Sequence, residues 1–539
     1  MEHKKEKLQI PKDGLAGLKE NFTTDALSGF LVFLLALPLS LGIAKASDFP
    51  AIYGLVTAIV GGIIVSFFAG SLLTIKGPAA GLIVIVSGAV AAMGGGDTTV
   101  GWHLALGAIV VAGAIQVLFG LLKLGRLSDF FPGAAIHGML AAIGIIIISK
   151  QVHNLLGIDP AQLKGKAPLE LLAMIPESIA HENSHLTEIG IACLAILILF
   201  SVVKNKHIKK IPAPLIVLLV AVPLGFVLQI KTEGAIEKFA LVKVGDIMDK
   251  MKEQFINVDF SGITSHPGEF FEYVILFSLI GSLESLLTVK AIDGLDPFKR
   301  KSNTNKDLIA IGAGNMLSGV LGGLPMISEV ARSSANVGNG AKTRWANFFH
   351  GIFLLIAVLF AVPLIEMIPN TALAAMLIFV GFRLAHPREF MHMLHIGKDQ
   401  FAVFVVTIIV TLSTDLLIGI GSGILLEMLI YLFNGVSISE LFKSHLIVNQ
   451  IDGQTYEIKL EKTAMFSNLI DLKKQLTAIP EKTTILLDVS NAKLIDHTTI
   501  STLYLIKEDF ELEGGTFVIT GLDKLKASSS HAMASRKGN

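Results

Sequence analysis

Four charged residues, Lys76, Glu284, Glu329 and Arg332, sit in stretches that are otherwise strongly apolar. Hydrocarbon penalises buried charge and broken backbone, so such groups persist only where they face protein or a water-lined cavity. Their types define the available chemistry. Arg332 and Lys76 attract an anion, and Glu284 and Glu329 can take up a proton or hold a cation. Two of the stretches are also broken by Gly and Pro: Ile75-Lys-Gly-Pro-Ala-Ala-Gly81 and Gly322-Gly-Leu-Pro-Met-Ile-Ser-Glu-Val-Ala-Arg-Ser-Ser-Ala-Asn336. A helix starting after such a break presents unpaired N–H groups and the positive end of its dipole, roughly half a charge. Gly77 permits unusual backbone angles and Pro78 loses no needed donor at a first helical position. Ala79 and Ala80 leave room for a bound ion, and Ser328 and Ser333 offer hydroxyl donors. Thr288 lies one turn after Glu284, on the same helix face.

Each of these residues also has a structural explanation. Small side chains at Ala79 and Ala80 suit close helix packing equally well. Arg332 is either a source of positive field or one half of an internal ion pair. Lys76 contacts a ligand, neutralises Glu284 or Glu329, or snorkels to a membrane face. Polar residues elsewhere in the apolar runs (His137, His350, Gln116 and Asn315) are read as helix–helix hydrogen-bonding groups. Thr411, Thr414 and Asp415 are read as caps.

The elements that must position these groups follow from composition. The chain has 539 residues, 52% of them hydrophobic and only 16% charged, with a mean hydropathy of +0.67. That is too apolar for a soluble domain of this size. Its 51 glycines fit packed membrane helices, and its formal net charge of zero argues against a nucleic-acid partner. The single cysteine, Cys193, excludes an internal disulfide framework, and no metal-ligand spacing or cofactor motif is present. No nucleophile–base pair or nucleotide loop points to an enzyme.

Apolar runs fall at 26–46, 52–70, 78–93, 100–122, 132–149, 187–203, 211–229, 270–289, 307–323, 329–340, 346–365, 369–381, 400–413 and 415–434. The third and tenth are short and follow the Gly/Pro breaks, which predicts half-helices preceded by extended backbone. The expected fold is therefore an α-helical polytopic membrane protein of about 14 segments. It forms a seven-plus-seven inverted repeat over 24–230 and 268–435, because an odd number per half inverts the second. Residues 1–23 form an N-terminal segment. Lys and Arg in the short loops (Lys123 and Arg126; Lys299 to Lys301; Lys342 and Arg344) put both termini in the cytoplasm. Residues 446–526 alternate β-rich runs with amphipathic helices, as a small cytoplasmic α/β domain does, and 527–539 read as a disordered polar tail.

The ordered set of motifs resembles the sulfate permease (SulP) family of anion transporters. The matching residues are Asp25-Ala-Leu-Ser-Gly29 before Pro38, Gly77 to Ala80, Gly281 to Thr288, Asn315, Gly322 to Pro325, Arg332-Ser333, Asn336 and Gly340 to Thr343. Leu487 to Ser501 resembles the core of a STAS domain, with Thr498 where some relatives carry a phosphorylated hydroxyl. The resemblance implies core and gate bundles, an elevator-like motion, a homodimer, and an anion site between the facing N-termini of the third and tenth helices. It also implies a carboxylate for ion coupling at Glu284 and a sodium-ligating hydroxyl at Thr288. Two positions depart from the family pattern: Glu329 replaces a small residue, and Val330 stands where sodium-dependent relatives carry threonine.

The expected function is secondary active transport of a small inorganic anion across the inner or plasma membrane. Sulfate is the family default and bicarbonate its rival. A proton is the expected coupling ion, with Glu284 its first carrier and Glu329 its second. A sodium-coupled bicarbonate transporter, a nucleobase–proton symporter of the same fold and a non-transporting sensor remain as alternatives.

Overall fold

The computed structural model describes residues 10–125, 131–163, 165–203, 205, 211–230, 240–243, 258–480, 482–512 and 514–538. They fall into two compact units, residues 1–125 with 144–383, and residues 126–143 with 384–539.

The membrane segments appear in the expected order. The first half holds α1 (Gly14–Ala46), α2 (Ile52–Phe68), α3 (Ala80–Gly94), α4 (Thr98–Leu121) and α5 (Gly133–Leu155). After α6 (Pro168–Ala180), it closes with α7 (Ser184–Val202) and α8 (Ala213–Val227). The second half holds α9 (Pro267–Leu295), α10 (Thr304–Val320), α11 (Val330–Gly338), α12 (Trp345–Phe360) and α13 (Asn370–Leu384). After α14 (Pro387–Ile396) come α15 (Lys398–Ser413) and α16 (Leu416–Phe433). Setting aside α6 and α14, each half has seven membrane segments. Among the described residues, six helices (α1, α4, α5, α7, α9 and α16) are long and apolar enough to cross a bilayer unaided.

Local chemistry sets the helix boundaries. Asp97 accepts from the N–H groups of Thr99 and Val100 to start α4. Asn183, Asn303 and Asp415 cap α7, α10 and α16 in the same way. Pro168 and Pro387 occupy the first positions of α6 and α14, where a missing N–H costs nothing. Within the first unit, α7, α8, α13 and the end of α5 share one apolar cluster that includes Ile189, Cys193, Val217 and Ala375.

Before α3 and α11 the chain runs as two short strands, β1 (Ile75–Pro78) and β2 (Met326–Glu329). They pair antiparallel, with Ile75 opposite Glu329, Lys76 opposite Ser328, Gly77 opposite Ile327 and Pro78 opposite Met326. Each strand thereby satisfies backbone groups that cost several kcal/mol apiece if left bare in hydrocarbon.

The second unit contains an α/β region. Strands β3 (Leu446–Gln450), β4 (Thr455–Leu460), β5 (Thr484–Asp488) and β6 (Thr516–Thr520) form one sheet in that order. The β3–β4 pair is antiparallel, and the other two pairs are parallel. Helices α17 (Leu469–Leu476) and α18 (His497–Leu512) supply its crossovers, as the alternating pattern implied. The tail differs from expectation. Arg536–Lys537 pairs with Leu494–Ile495 and with Lys526–Ala527, and the Ser529 hydroxyl donates to the carbonyls of His395 and Ile396 at 2.8 and 2.7 Å. Backbone pairing orders a segment whose side chains carry no apolar pattern.

Candidate functional site

The β1–β2 pair brings both Gly/Pro breaks to one place inside the first unit, and α3 and α11 start from it. Side chains hold the pair in position. Asn315 accepts from the Met326 N–H at 2.6 Å and donates to Gln116 at 2.7 Å, and Gln116 in turn donates to the Phe277 carbonyl at 3.4 Å. The Thr57 hydroxyl accepts from the Leu324 N–H at 2.8 Å. Asn336 donates to the Leu73 carbonyl at 2.8 Å and accepts from Ser28 at 2.7 Å, which ties α11 to β1 and α1. Gln116 and Asn315 therefore make the expected interhelical bond, and through Asn315 they also fix β2.

Arg332 is fully buried beside β1. Its Nη2 donates to the Pro78 carbonyl at 3.5 Å, and its Nε lies 3.9 Å from the Glu329 carboxylate. Nε and Nη1 have no hydrogen-bond partner. A Cβ on Gly77 would lie 2.6 Å from Nη1, so glycine is what lets the guanidinium lie against β1. A buried guanidinium with spare donors has the chemistry to bind an anion.

A carboxylate guards each half-helix start. Glu329 caps α11, accepting from the Arg332 N–H at 2.7 Å. Glu284, on α9, packs against the first turn of α3 so closely that a Cβ on Gly81 would collide with it. Its Oε1 has no hydrogen-bond partner. Ala79, Ala80 and Thr288 are buried at 2%, 8% and 6% exposure, and the alanines add no polar group to the space in front of α3.

The remaining candidates are engaged in holding the scaffold. The Ser328 hydroxyl donates to Asp307 at 3.2 Å, and its N–H donates to Ser285 at 3.2 Å. The Ser333 hydroxyl donates to the Glu329 carbonyl at 2.5 Å and accepts from the Ile75 N–H at 2.9 Å. Lys76 is paired with neither Glu284 nor Glu329. Its ammonium lies 3.2 Å from Asp307 and also donates to Thr74, all fully or almost fully buried. Asp307 further accepts the N–H groups of Gly70 and Ser71 at 3.1 Å each.

Asp307 is the residue that sequence reasoning missed. Its signal was available, one carboxylate heading an apolar run, but the sequence reading offered Glu284 or Glu329 as the Lys76 counterion instead. His350 also departs from expectation, because it is buried with neither ring nitrogen hydrogen-bonded. His137 lies in the second unit, 3.3 Å from Glu389.

Paired half-helices in a seven-plus-seven membrane fold, converging on an unsatisfied buried arginine, define the architecture of a polytopic carrier. Residues 22–407 match the sulfate permease family. The chain belongs to that family. It is 25% identical over 515 residues to the putative sulfate transporter YvdB of Bacillus subtilis, covering 93% of this chain and 92% of that protein. It is 24% identical to the bicarbonate transporter BicA of Picosynechococcus, covering 75% of this chain and 69% of that one.

Two solved structures share the fold. The transmembrane domain of a cyanobacterial bicarbonate transporter, BicA, superposes with a TM-score of 0.63 at 23% identity, covering 75% of this chain and 97% of that one. The murine Slc26a9 anion transporter superposes with a TM-score of 0.65 at 15% identity, covering 95% and 86%.

Proposed function

We propose that this protein is a secondary active transporter of small inorganic anions, with sulfate the first substrate, bicarbonate its rival and a proton the coupling ion. The observation that carries this reading is the β1–β2 pair, which converges two half-helix N-termini on the unsatisfied guanidinium of Arg332. The substrate contacts are the backbone of Gly77 to Ala80, the first turn of α11 and Arg332. Lys76, Ser328 and Ser333 brace these contacts from behind. Family membership and the YvdB likeness support sulfate, and the BicA likeness supports bicarbonate.

The charge inventory favours protons. Asp307 neutralises Lys76, so Arg332 alone stands against Glu284 and Glu329. With both glutamates ionised, the empty pocket carries one net negative charge. An anion arriving there at low dielectric drives protonation of a neighbouring carboxylate. Glu284, with a bare oxygen beside the start of α3, is the first proton carrier. Glu329, already satisfied as a cap, is the second. Sodium coupling loses support at Val330, which supplies no oxygen where sodium-dependent relatives carry threonine. The same two glutamates fit a nucleobase–proton symporter, but Arg332 favours an anion.

In this scheme α1–α4 and α9–α12 move as one bundle against the remaining membrane helices, with both termini in the cytoplasm and two copies per assembly. The test is uptake of labelled sulfate and bicarbonate into proteoliposomes under imposed pH or sodium gradients. The expected result is concentrative uptake driven by an acid outside and indifferent to sodium. Sodium-driven uptake, or competition by uracil but not by sulfate or bicarbonate, would replace this reading. Sulfate uptake that kept its full two-proton pH dependence in Glu284→Gln would remove Glu284 from the mechanism.

A further inference from the structure

At the end of α1 away from the N-terminus lies a cation that no carboxylate among the described residues answers. Lys45 is in the last turn of α1 and only partly exposed. Among the described residues its ammonium makes no ion pair and no hydrogen bond. The nearest acid along the chain, Asp48, is already taken by Lys150 at 3.0 and 3.2 Å, and Lys150 also donates to the Ala46 carbonyl at 3.2 Å. The charged neighbour acting on Lys45 is Lys243, of like sign. The C-terminal dipole of α1 offsets only about 0.3–1 kcal/mol of a cation's cost.

Lys45 lines a cavity of about 30 Å³ together with Gln151, Asn154, Thr371, Gly42 and Leu186. The polar groups around it include two with donors to offer, Thr371 and Gln151. Thr371 is 2% exposed and its hydroxyl has no hydrogen-bond partner. Gln151 is 4% exposed, and its carbonyl oxygen accepts from the Asn154 amide at 3.0 Å, which leaves its own amide hydrogens free to donate. Asn370, also on the wall, donates to the Leu241 carbonyl at 2.7 Å and is held away from this role. A cavity needs about 10–15 Å³ to admit one water, so this one holds a single ion or a pair of waters. Water satisfies the donors but leaves the charge uncompensated, whereas an anion satisfies both.

We propose that Lys45, Gln151 and Thr371 form a second anion site, for a halide-sized monovalent anion, that bridges α1, α5 and α13. It shares no residue with the half-helix pocket. Because α1 comes from the first half and α13 from the second, an ion here ties the two halves together at one end of the bundle. That consequence for transport rests on the function proposed above, but the binding itself does not.

The test reads binding rather than flux. Thermal unfolding of the purified full-length protein is followed in sodium gluconate, whose anion is too large for the cavity, while bromide is added. Wild type and Arg332→Ala are both expected to show a saturable rise in Tm, since Arg332→Ala disables only the half-helix pocket. In Lys45→Gln the bromide response should weaken about tenfold or vanish, and in Thr371→Val it should weaken several-fold. Lys45→Arg should retain it. Thr371→Val is nearly isosteric and keeps the lysine, so it carries the test if Lys45→Gln fails to fold. The proposal is overturned by a bromide response unchanged in the Lys45 and Thr371 variants, by one lost in Arg332→Ala alone, or by no saturable response in wild type. Loss of sulfate uptake with the Lys45-dependent response intact would count against the transport reading and leave this site standing.

Discussion

At the scale of single residues, the proposed site sets one cation with partnerless nitrogens beside one already paired. Arg332 Nε and Nη1 have no hydrogen-bond partner, whereas the Lys76 ammonium is held by Asp307 and Thr74, although both residues are fully buried. Arg332→Gln should therefore raise the KM for sulfate roughly 10–100-fold, the equivalent of one lost charge-assisted contact of about 1.5–3 kcal/mol, while leaving the folded protein intact. Initial uptake rates over a sulfate series, with Tm as the folding control, measure this. An unchanged KM would mean that the guanidinium never meets the substrate. Asp307→Asn should instead act on stability. Removing one partner of a buried pair costs about 3–5 kcal/mol, because Lys76 is left charged and alone. The double variant Lys76→Met with Asp307→Asn should recover much of that loss, and equal destabilisation in single and double variants would refute the pairing. Much of this scale was legible in the chain. A charge in an apolar run announces itself, and Arg332, Glu284, Glu329 and Lys76 all lie at the β1–β2 pair or beside it. Which charges pair was not legible. Lys76 and Asp307 are 231 positions apart, and their proximity is created only when β1 packs against the start of α10.

At the scale of elements, hydropathy located all fourteen membrane segments because each is an apolar run bounded by polar or Gly/Pro breaks, the two half-helices included. It missed α6 and α14, which are mixed in polarity and signalled only by Pro168 and Pro387. It also missed the two-residue pairing of Arg536–Lys537, which is too short for any periodicity to register. The join between α16 and the α/β region was equally hidden. Tyr431 Oη lies 2.7 Å from Glu427 and 2.7 Å from Asp496, with all three side chains buried. A phenol carries one proton, so two such contacts require a second proton on one of the carboxyls. Gln400 also donates to Glu427, at 3.0 Å, and Asp399 and His497 are the other titratable groups nearby. Asp496 accepts the N–H groups of Phe466 and Thr499 at 2.7 Å each, the second of which starts α18. Burial pushes the Asp496 carboxyl above the usual carboxylate range, against the pull of these hydrogen bonds. The sign follows from linkage. A carboxyl with a raised folded value adds stability that is fully present below its unfolded value and lost as pH rises through the folded one. Hydrogen exchange at Phe466 and Thr499, corrected for intrinsic rates, should therefore show protection that falls as pH rises, and Asp496→Asn should flatten that trend. The same slope in the variant would place the titration elsewhere.

At the scale of the whole molecule, the proposed proton coupling ties the charge of the pocket to how transport responds to voltage. The empty pocket, with Arg332 against two ionised glutamates, carries one negative charge. Sulfate adds two, and two protons, one on Glu284 and one on Glu329, return the loaded pocket to its empty value. A carrier that moves the same charge loaded and empty produces no net current. Sulfate uptake into proteoliposomes should then be indifferent to a potassium–valinomycin potential, and its equilibrium accumulation ratio should fall about a hundredfold for each unit of pH gradient removed, as two coupled protons require. Glu284→Gln removes one of the two protonatable groups. Uptake in that variant should fall to one proton per sulfate, carry net negative charge inward, and speed up when the lumen is made positive. Bicarbonate, with one charge, needs only one of the glutamates, so its wild-type uptake should be electroneutral with a single proton. Voltage-sensitive sulfate uptake in the wild type would mean that one glutamate keeps its charge throughout the cycle. Because Glu329 is already satisfied as the cap of α11, it would be the one to do so.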